Sequence, residues 1–140
     1  MGRINWGRVI LGGLLAGVIV NVVEMLCGGV ILKSQWDAAM NAIGVTMPQT
    51  GMANAIWIIS GFVVGIWMVW LYAAIRPRYG AGAKTALCAG FAAWILGYLM
   101  WSVSLGNMGL LPTSLLLPST ALGLVEALLA AVAGAWVYKE

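Results

Sequence analysis

Four apolar runs, at about 9–32, 53–75, 85–103 and 119–138, are each long enough to cross roughly 30 Å of hydrocarbon as a helix. Lipid offers no solvent to backbone polar groups, so a chain with such runs folds as a helix bundle whose backbone bonds close within each segment. Composition supports a membrane setting over a soluble core. Hydrophobic residues make up 63% of the chain and charged ones 8%, far from the balance of a water-soluble domain. The expected architecture is all-α, a polytopic four-transmembrane-helix bundle. Its 140 residues form one domain, 1–140, with no room for a separate soluble module.

Basic residues predict the orientation. Arg3 and Arg8 precede the first run, Arg76, Arg78 and Lys84 lie between the second and third, and Lys139 follows the fourth. The opposite side carries Lys33 alone, partly offset by Asp37. Six against one is a positive-inside bias that puts both termini in the cytoplasm. Trp6, Trp36, Trp57, Trp70, Tyr72, Tyr79, Trp101, Trp136 and Tyr138 fall mostly near predicted span ends, as interfacial anchors do. The first run follows two arginines as a signal peptide would. It is too long for a signal-peptide core, contains Glu24 and has no small-x-small cleavage site, so it reads as a retained helix. Cys27 does not sit in a lipobox.

The connections differ in character. In 33–52, Trp36, Ala39, Met40 and Ile43 share one helical face, with Ser34 as N-cap and Gly44 as stop; this predicts a short helix on the outer membrane surface. The outer stretch 104–118 has no charge, so Leu110, Leu111 and Leu115 to Leu117 are expected to be covered by lipid or protein. Pro112 and Pro118 argue against continuous helix there. The inner stretch Arg76-Pro-Arg-Tyr-Gly-Ala-Gly-Ala-Lys-Thr85 fails as a phosphate-binding loop, because Ala83 and Arg78 stand where glycines are required and no strand precedes it. Arg76, Arg78 and Lys84 are instead expected to contact anionic lipid head groups.

Between helices in lipid, small residues mark the contacts. The first span carries Gly13, Gly17, Asn21, Glu24 and Gly28 within one arc, and the fourth carries Ser119, Gly123, Glu126, Ala130 and Gly134. Asn54, Gly61 and Gly65 do the same for the second, and Ala86, Gly90, Ala93 and Gly97 for the third. Turning these stripes inward gives a compact bundle.

Glu24 and Glu126 are the candidates for function. A carboxylate in hydrocarbon costs roughly 2.5–3.5 kcal/mol on insertion scales and must find a partner or hold a proton. By position in their spans both lie roughly 4–5 Å outside the midplane, at one level. Asn21, one turn from Glu24, is placed to share a hydrogen bond there. Three readings remain open: a proton- or cation-coupled site, a protonated carboxyl locking the helices, or pairing with a charge on another subunit.

Other chemistry has little to work with. There is no histidine, which removes the commonest general base and metal ligand. Cys27 and Cys88 lie near opposite faces, so no disulfide is expected, and both read as small buried hydrophobes. No catalytic or metal-binding constellation is visible, so neither an enzyme nor a cofactor is expected. The net charge of +3 follows topology rather than a nucleic-acid surface.

The opening Gly12-Gly-Leu-Leu-Ala-Gly17 and the run Leu71-Tyr-Ala-Ala-Ile-Arg-Pro-Arg-Tyr-Gly80 resemble segments of small bacterial four-helix integral membrane proteins with no assigned activity. That resemblance covers most of the chain and implies residence in a bacterial inner membrane. The layout is also similar to the small multidrug resistance transporters, which have four helices and an essential glutamate in the first; Glu24 is the matching position. This chain departs from them by longer outer connections, a glutamate in the fourth helix and a first-helix glutamate beyond the midpoint. The expected function is a non-catalytic accessory subunit packed within a larger membrane assembly, or as another copy's partner in a homo-oligomer, in contact with membrane lipids. The alternative is a small proton-coupled transporter or channel using the intramembrane glutamates.

Overall fold

A computed structural model describes residues 4–138 as helices joined by short turns, with no strand among them. Arg3 and Lys139, two of the cations behind the expected orientation, lie outside the described residues. Helix α1 spans Trp6–Ile31, α3 Gly51–Tyr79, α4 Ala83–Asn107 and α5 Thr113–Val137, all apolar and long enough to cross a membrane. Between α1 and α3 lies α2, Lys33–Ala42. The chain is therefore a four-helix membrane bundle with one short additional helix.

Local chemistry sets several ends. Asn5 caps α1 by accepting a bond from the Arg8 amide, and Thr50 caps α3 through Ala53. Gly44, with φ +71°, ends α2 as expected. Other ends depart from expectation. Ser34 caps nothing: α1 runs into α2 through a wide π turn at Cys27–Ile31, and the amides of Leu32 and Trp36 bond back to Cys27 and Leu32. Both proline-marked connections are shorter than predicted. Helix α3 continues through Pro77 to Tyr79, α4 reaches Asn107, and α5 starts at Thr113 with Pro118 inside it. Each proline forgoes one backbone bond. The uncharged segment around Pro118 has few polar partners, and a helix satisfies the rest of its backbone internally, which outweighs that loss.

Helix α1 packs on α3 and α5, α4 packs on α3 and α5, and α3 meets α5 across the middle. Glycines set the close crossings. A methyl group at Gly65 would strike the backbone of Gly13 and Gly17, one at Gly12 the carbonyl of Gly134, and one at Gly90 the carbonyl of Ala127. The inward stripes hold at Gly13, Gly17, Gly61, Gly65, Ala86, Gly90, Ala93, Gly123, Ala130 and Gly134. Gly28, Asn54 and Gly97 depart from the pattern: Asn54 is exposed, and a Cβ at Gly28 or Gly97 would meet no neighbouring helix, each lying in a π turn, at Cys27–Ile31 and Ile95–Leu99.

The main core gathers Val9, Ala16, Met68, Val69, Tyr72, Ala89, Ala130, Ala131 and Tyr138 toward the end where the chain begins and finishes. There the Asn5 amide donates to Tyr138 Oη at 3.2 Å, and Tyr72 meets the Tyr138 ring edge-on at 5.9 Å. A second cluster closes the other end: Leu32 and Ala39, with Trp36 and Met40 beside them, against Leu111, Leu115 and Leu116. The expected apolar face of α2 is thus used, although Ile43 stays exposed. Of the five leucines expected to be covered, Leu111, Leu115 and Leu116 are buried, but Leu110 is 38% and Leu117 67% exposed. Helical phase explains the split, because Leu117 points away from the face that Leu115 and Leu116 share with α2.

Candidate functional site

Tyr98 brings the two intramembrane glutamates together. Its Oη lies 2.5 Å from Glu24 Oε1 on α1 and 2.6 Å from Glu126 Oε1 on α5. The two carboxylate oxygens are therefore within about 5 Å of each other, and the expected common level is met by the side chains. Three helices build the arrangement. Tyr98 projects from the π turn of α4, and its ring fills the notch left by Gly123, where any Cβ would strike ring carbons. Glu126 follows Gly123 by three residues, so it lies on the same face of α5, directly beside the phenol.

The two carboxyl groups have different surroundings. Glu126 is 3% exposed, the one acidic residue in the buried interior among the described residues. Glu24 is exposed, which corrects the expectation that both face inward. Helices α1 and α4 are not a packed pair, and the reach of the tyrosine connects them. Among the described residues neither group is ion-paired with a lysine or arginine: Lys33 is paired with Asp37 on α2 at 2.5 Å. Cys27, one turn beyond Glu24, is the nearest further titratable side chain on α1.

Asn21 does not join the glutamates, contrary to expectation. Its Nδ2 donates to the carbonyls of Gly17, 2.8 Å, and Ile58, 3.1 Å, and the amide sits against Gly61. It ties α1 to α3. A matching set ties α4 to α5: Trp94 Nε1 donates to the Thr120 carbonyl at 2.8 Å, and Thr120 Oγ1 lies 2.6 Å from Ser102 Oγ. Thr120's own hydroxyl hydrogen goes to Leu116 O, so Ser102 is the donor of that pair. The glutamate–tyrosine bridge then links one stitched pair to the other.

At the opposite end, the cations expected at lipid head groups divide. Arg78 and Lys84 are exposed, whereas Arg76 is half-buried with its guanidinium 5.5 Å from the Tyr138 ring centre. The turn between α3 and α4 is held by Thr85 Oγ1 donating to Gly80 O at 2.7 Å and the Gly82 amide donating to Tyr72 Oη.

Sequence reasoning missed Tyr98. The available signal was its depth: the other three tyrosines sit near span ends, while this phenol lies well inside a span, where its hydroxyl needs a partner. Chemically, two carboxyl groups and a phenol in mutual reach can hold, share and release protons. Among the described residues no three His, Cys, Asp or Glu side chains gather as metal ligands. No protein-family model, curated protein or solved structure matches the chain.

Proposed function

We propose that this chain is a non-catalytic subunit of a larger membrane assembly, seated in a bacterial inner membrane with both termini in the cytoplasm. One observation carries the reading: Glu24 lies at membrane depth yet is exposed on the isolated chain. Uncovered in hydrocarbon, a carboxylate costs roughly 2.5–3.5 kcal/mol, a penalty that a neighbouring polypeptide removes by covering it. The first turns of α3 agree. No residue of 51–60 is buried, and Trp57 is 69% exposed.

Photo-crosslinking in native membranes tests this. A benzophenone side chain at Met25 or Trp57 should yield one adduct of defined size that survives mild-detergent purification in fixed ratio; the same group at Trp136, on the other end, should not. Adducts to lipid alone from all three positions would contradict the subunit reading. Cysteine labelling tests the orientation, with Gln35 reached from outside the cell and Ala81 not.

The bridge itself favours a second reading, a small proton-coupled transporter or channel. Here Glu126→Gln keeps shape and hydrogen bonding but cannot titrate. Reconstituted into liposomes, that variant should assemble normally and lose pH-gradient-driven flux if the site carries protons. Flux driven equally by both proteins would remove the transport reading.

A further inference from the structure

The contacts of Tyr98 imply a proton count. A phenol has one hydrogen to donate, and an ionised carboxylate has none. With both glutamates ionised, one of the two short oxygen–oxygen approaches, 2.5 Å to Glu24 or 2.6 Å to Glu126, would have no hydrogen between its atoms. One added proton satisfies both: a carboxylic acid donates to the phenol oxygen, and the phenol donates to the other carboxylate. Among the described residues no other titratable or charged group serves instead. In the facing turns, α3 contributes none, α4 only Tyr98, α5 only Glu126 and α1 only Glu24 and Cys27, while Lys33 and Asp37 on α2 hold each other.

The bridge is the side-chain hydrogen-bond link from α4 to α1. Helices α1 and α4 occupy opposite corners of the bundle and are not among its packed pairs. Asn21 fastens α1 to α3, and Trp94, Ser102 and Thr120 fasten α4 to α5. Both bridged helices are also wound wide here. Tyr98 lies within the π turn Ile95–Leu99, and Glu24 precedes the π turn Cys27–Ile31. A π turn carries one residue more than an α turn, so tightening it rotates the segment beyond by about 100°.

We propose that Glu24, Tyr98 and Glu126 form a one-proton latch, in which a single exchangeable carboxyl proton holds α4 to α1 and its release parts the two helices at the α2 end. In the release step the carboxyl O–H bond breaks, the electron pair stays on the carboxylate oxygen and the proton leaves by way of exposed Glu24 to an acceptor outside this chain, a water molecule reaching the site or a basic side chain of a covering neighbour. Two carboxylates then compete for one phenol hydrogen. Tyr98 stays with Glu126, because Gly123 on the same helix seats its ring, and lets go of Glu24. The latch operates the same way in a subunit or in a transporter, so it depends on neither reading of function.

The test uses the full chain in lipid nanodiscs, with Cys27 and Cys88 replaced by alanine and spin labels at positions 30 and 103, on the exposed faces of α1 and α4 beyond the bridge. Pulsed electron resonance gives the distance, and infrared difference spectroscopy gives the carboxylic-acid C=O band, both across pH. One acid band per chain should disappear as pH rises, and the distance should lengthen in the same step. In Glu24→Gln and Glu126→Gln the remaining carboxyl still titrates and shows its own acid band, but the short distance should persist at every pH, since the amide donates what the acid donated. Tyr98→Phe should give the long distance at every pH. A distance that stays constant while the band is lost would overturn the latch, as would absence of the band at every pH, or a distance step that persists in both glutamine variants. The unsubstituted chain alone decides the matter if a variant fails to assemble.

Discussion

The two halves of the bundle are held by different chemistry. Toward the termini, glycine and alanine bring backbones into contact: Gly12 on Gly134, Gly65 on Gly13 and Gly17, Gly90 on Ala127. Large side chains such as Met68 and Val69 are fully enclosed there. Toward α2 less of the helix surface is buried. Helix α3 buries nothing over 51–60, Glu24 is exposed, and hydrogen bonds from Asn21, Trp94, Ser102 and Tyr98 do much of the joining alongside the small cluster under α2. In lipid, apolar surface gives little drive for association, so close packing and interhelical hydrogen bonds are the available forces. This chain uses the first at one end and leans on the second at the other. The packed half resists change; the hydrogen-bonded half is the one a proton can alter.

Substitutions can break that contrast. The largest loss is expected in the packed half: Gly134→Val places new atoms against Val69, Ala16 and the Gly12 carbonyl and should cost about 1–3 kcal/mol in reversible unfolding in mixed micelles, the usual range for overpacking. Next comes Tyr98→Phe. It leaves the Glu126 carboxyl buried without its phenol, a loss of about 1–2 kcal/mol that should appear as a lower unfolding midpoint. If Tyr98→Phe cost more than Gly134→Val, the ranking of the two halves would be reversed. Asn21→Ala should have a smaller effect, about 0.6 kcal/mol, the average for an interhelical bond in a membrane protein. The smallest belongs to Gly97→Ala: nothing lies within reach of an added methyl, so no loss is expected and a gain of about 0.4 kcal/mol is the ordinary result. A loss there comparable to that at Gly134 would mean that Gly97 is packed against another surface.

Much of the packed half was legible in the sequence, and little of the other. Span number follows from apolar length, and Gly13, Gly17, Gly65 and Gly134 announce close crossings by their spacing and by the absence of any other reason for glycine in a helix. Gly28 and Gly97 obey the same spacing but sit in π turns instead, and periodicity alone does not separate those outcomes. Pro118 reads as a boundary because a proline removes one bond; apolar surroundings make the rest of the helix worth more than that bond. The glutamates stood out by cost. Their connection did not, since it depends on where the third span crosses the other two and on a phenol whose partners come from helices far away in sequence. Glu24's exposure was hidden for the same reason: a glycine stripe predicts a face, not whether the neighbour on that face stays close along its whole length.

Helix α3 passes through both halves and supplies its own control. Amide hydrogen exchange of the full chain in nanodiscs, resolved along α3, reads both halves in one helix. Strong protection is expected over 61–73, where Gly61, Gly65, Met68, Val69, Tyr72 and Ala73 are buried, and markedly faster exchange over 52–60. Uniform protection from one end of α3 to the other would contradict a bundle packed in one half and hydrogen-bonded in the other.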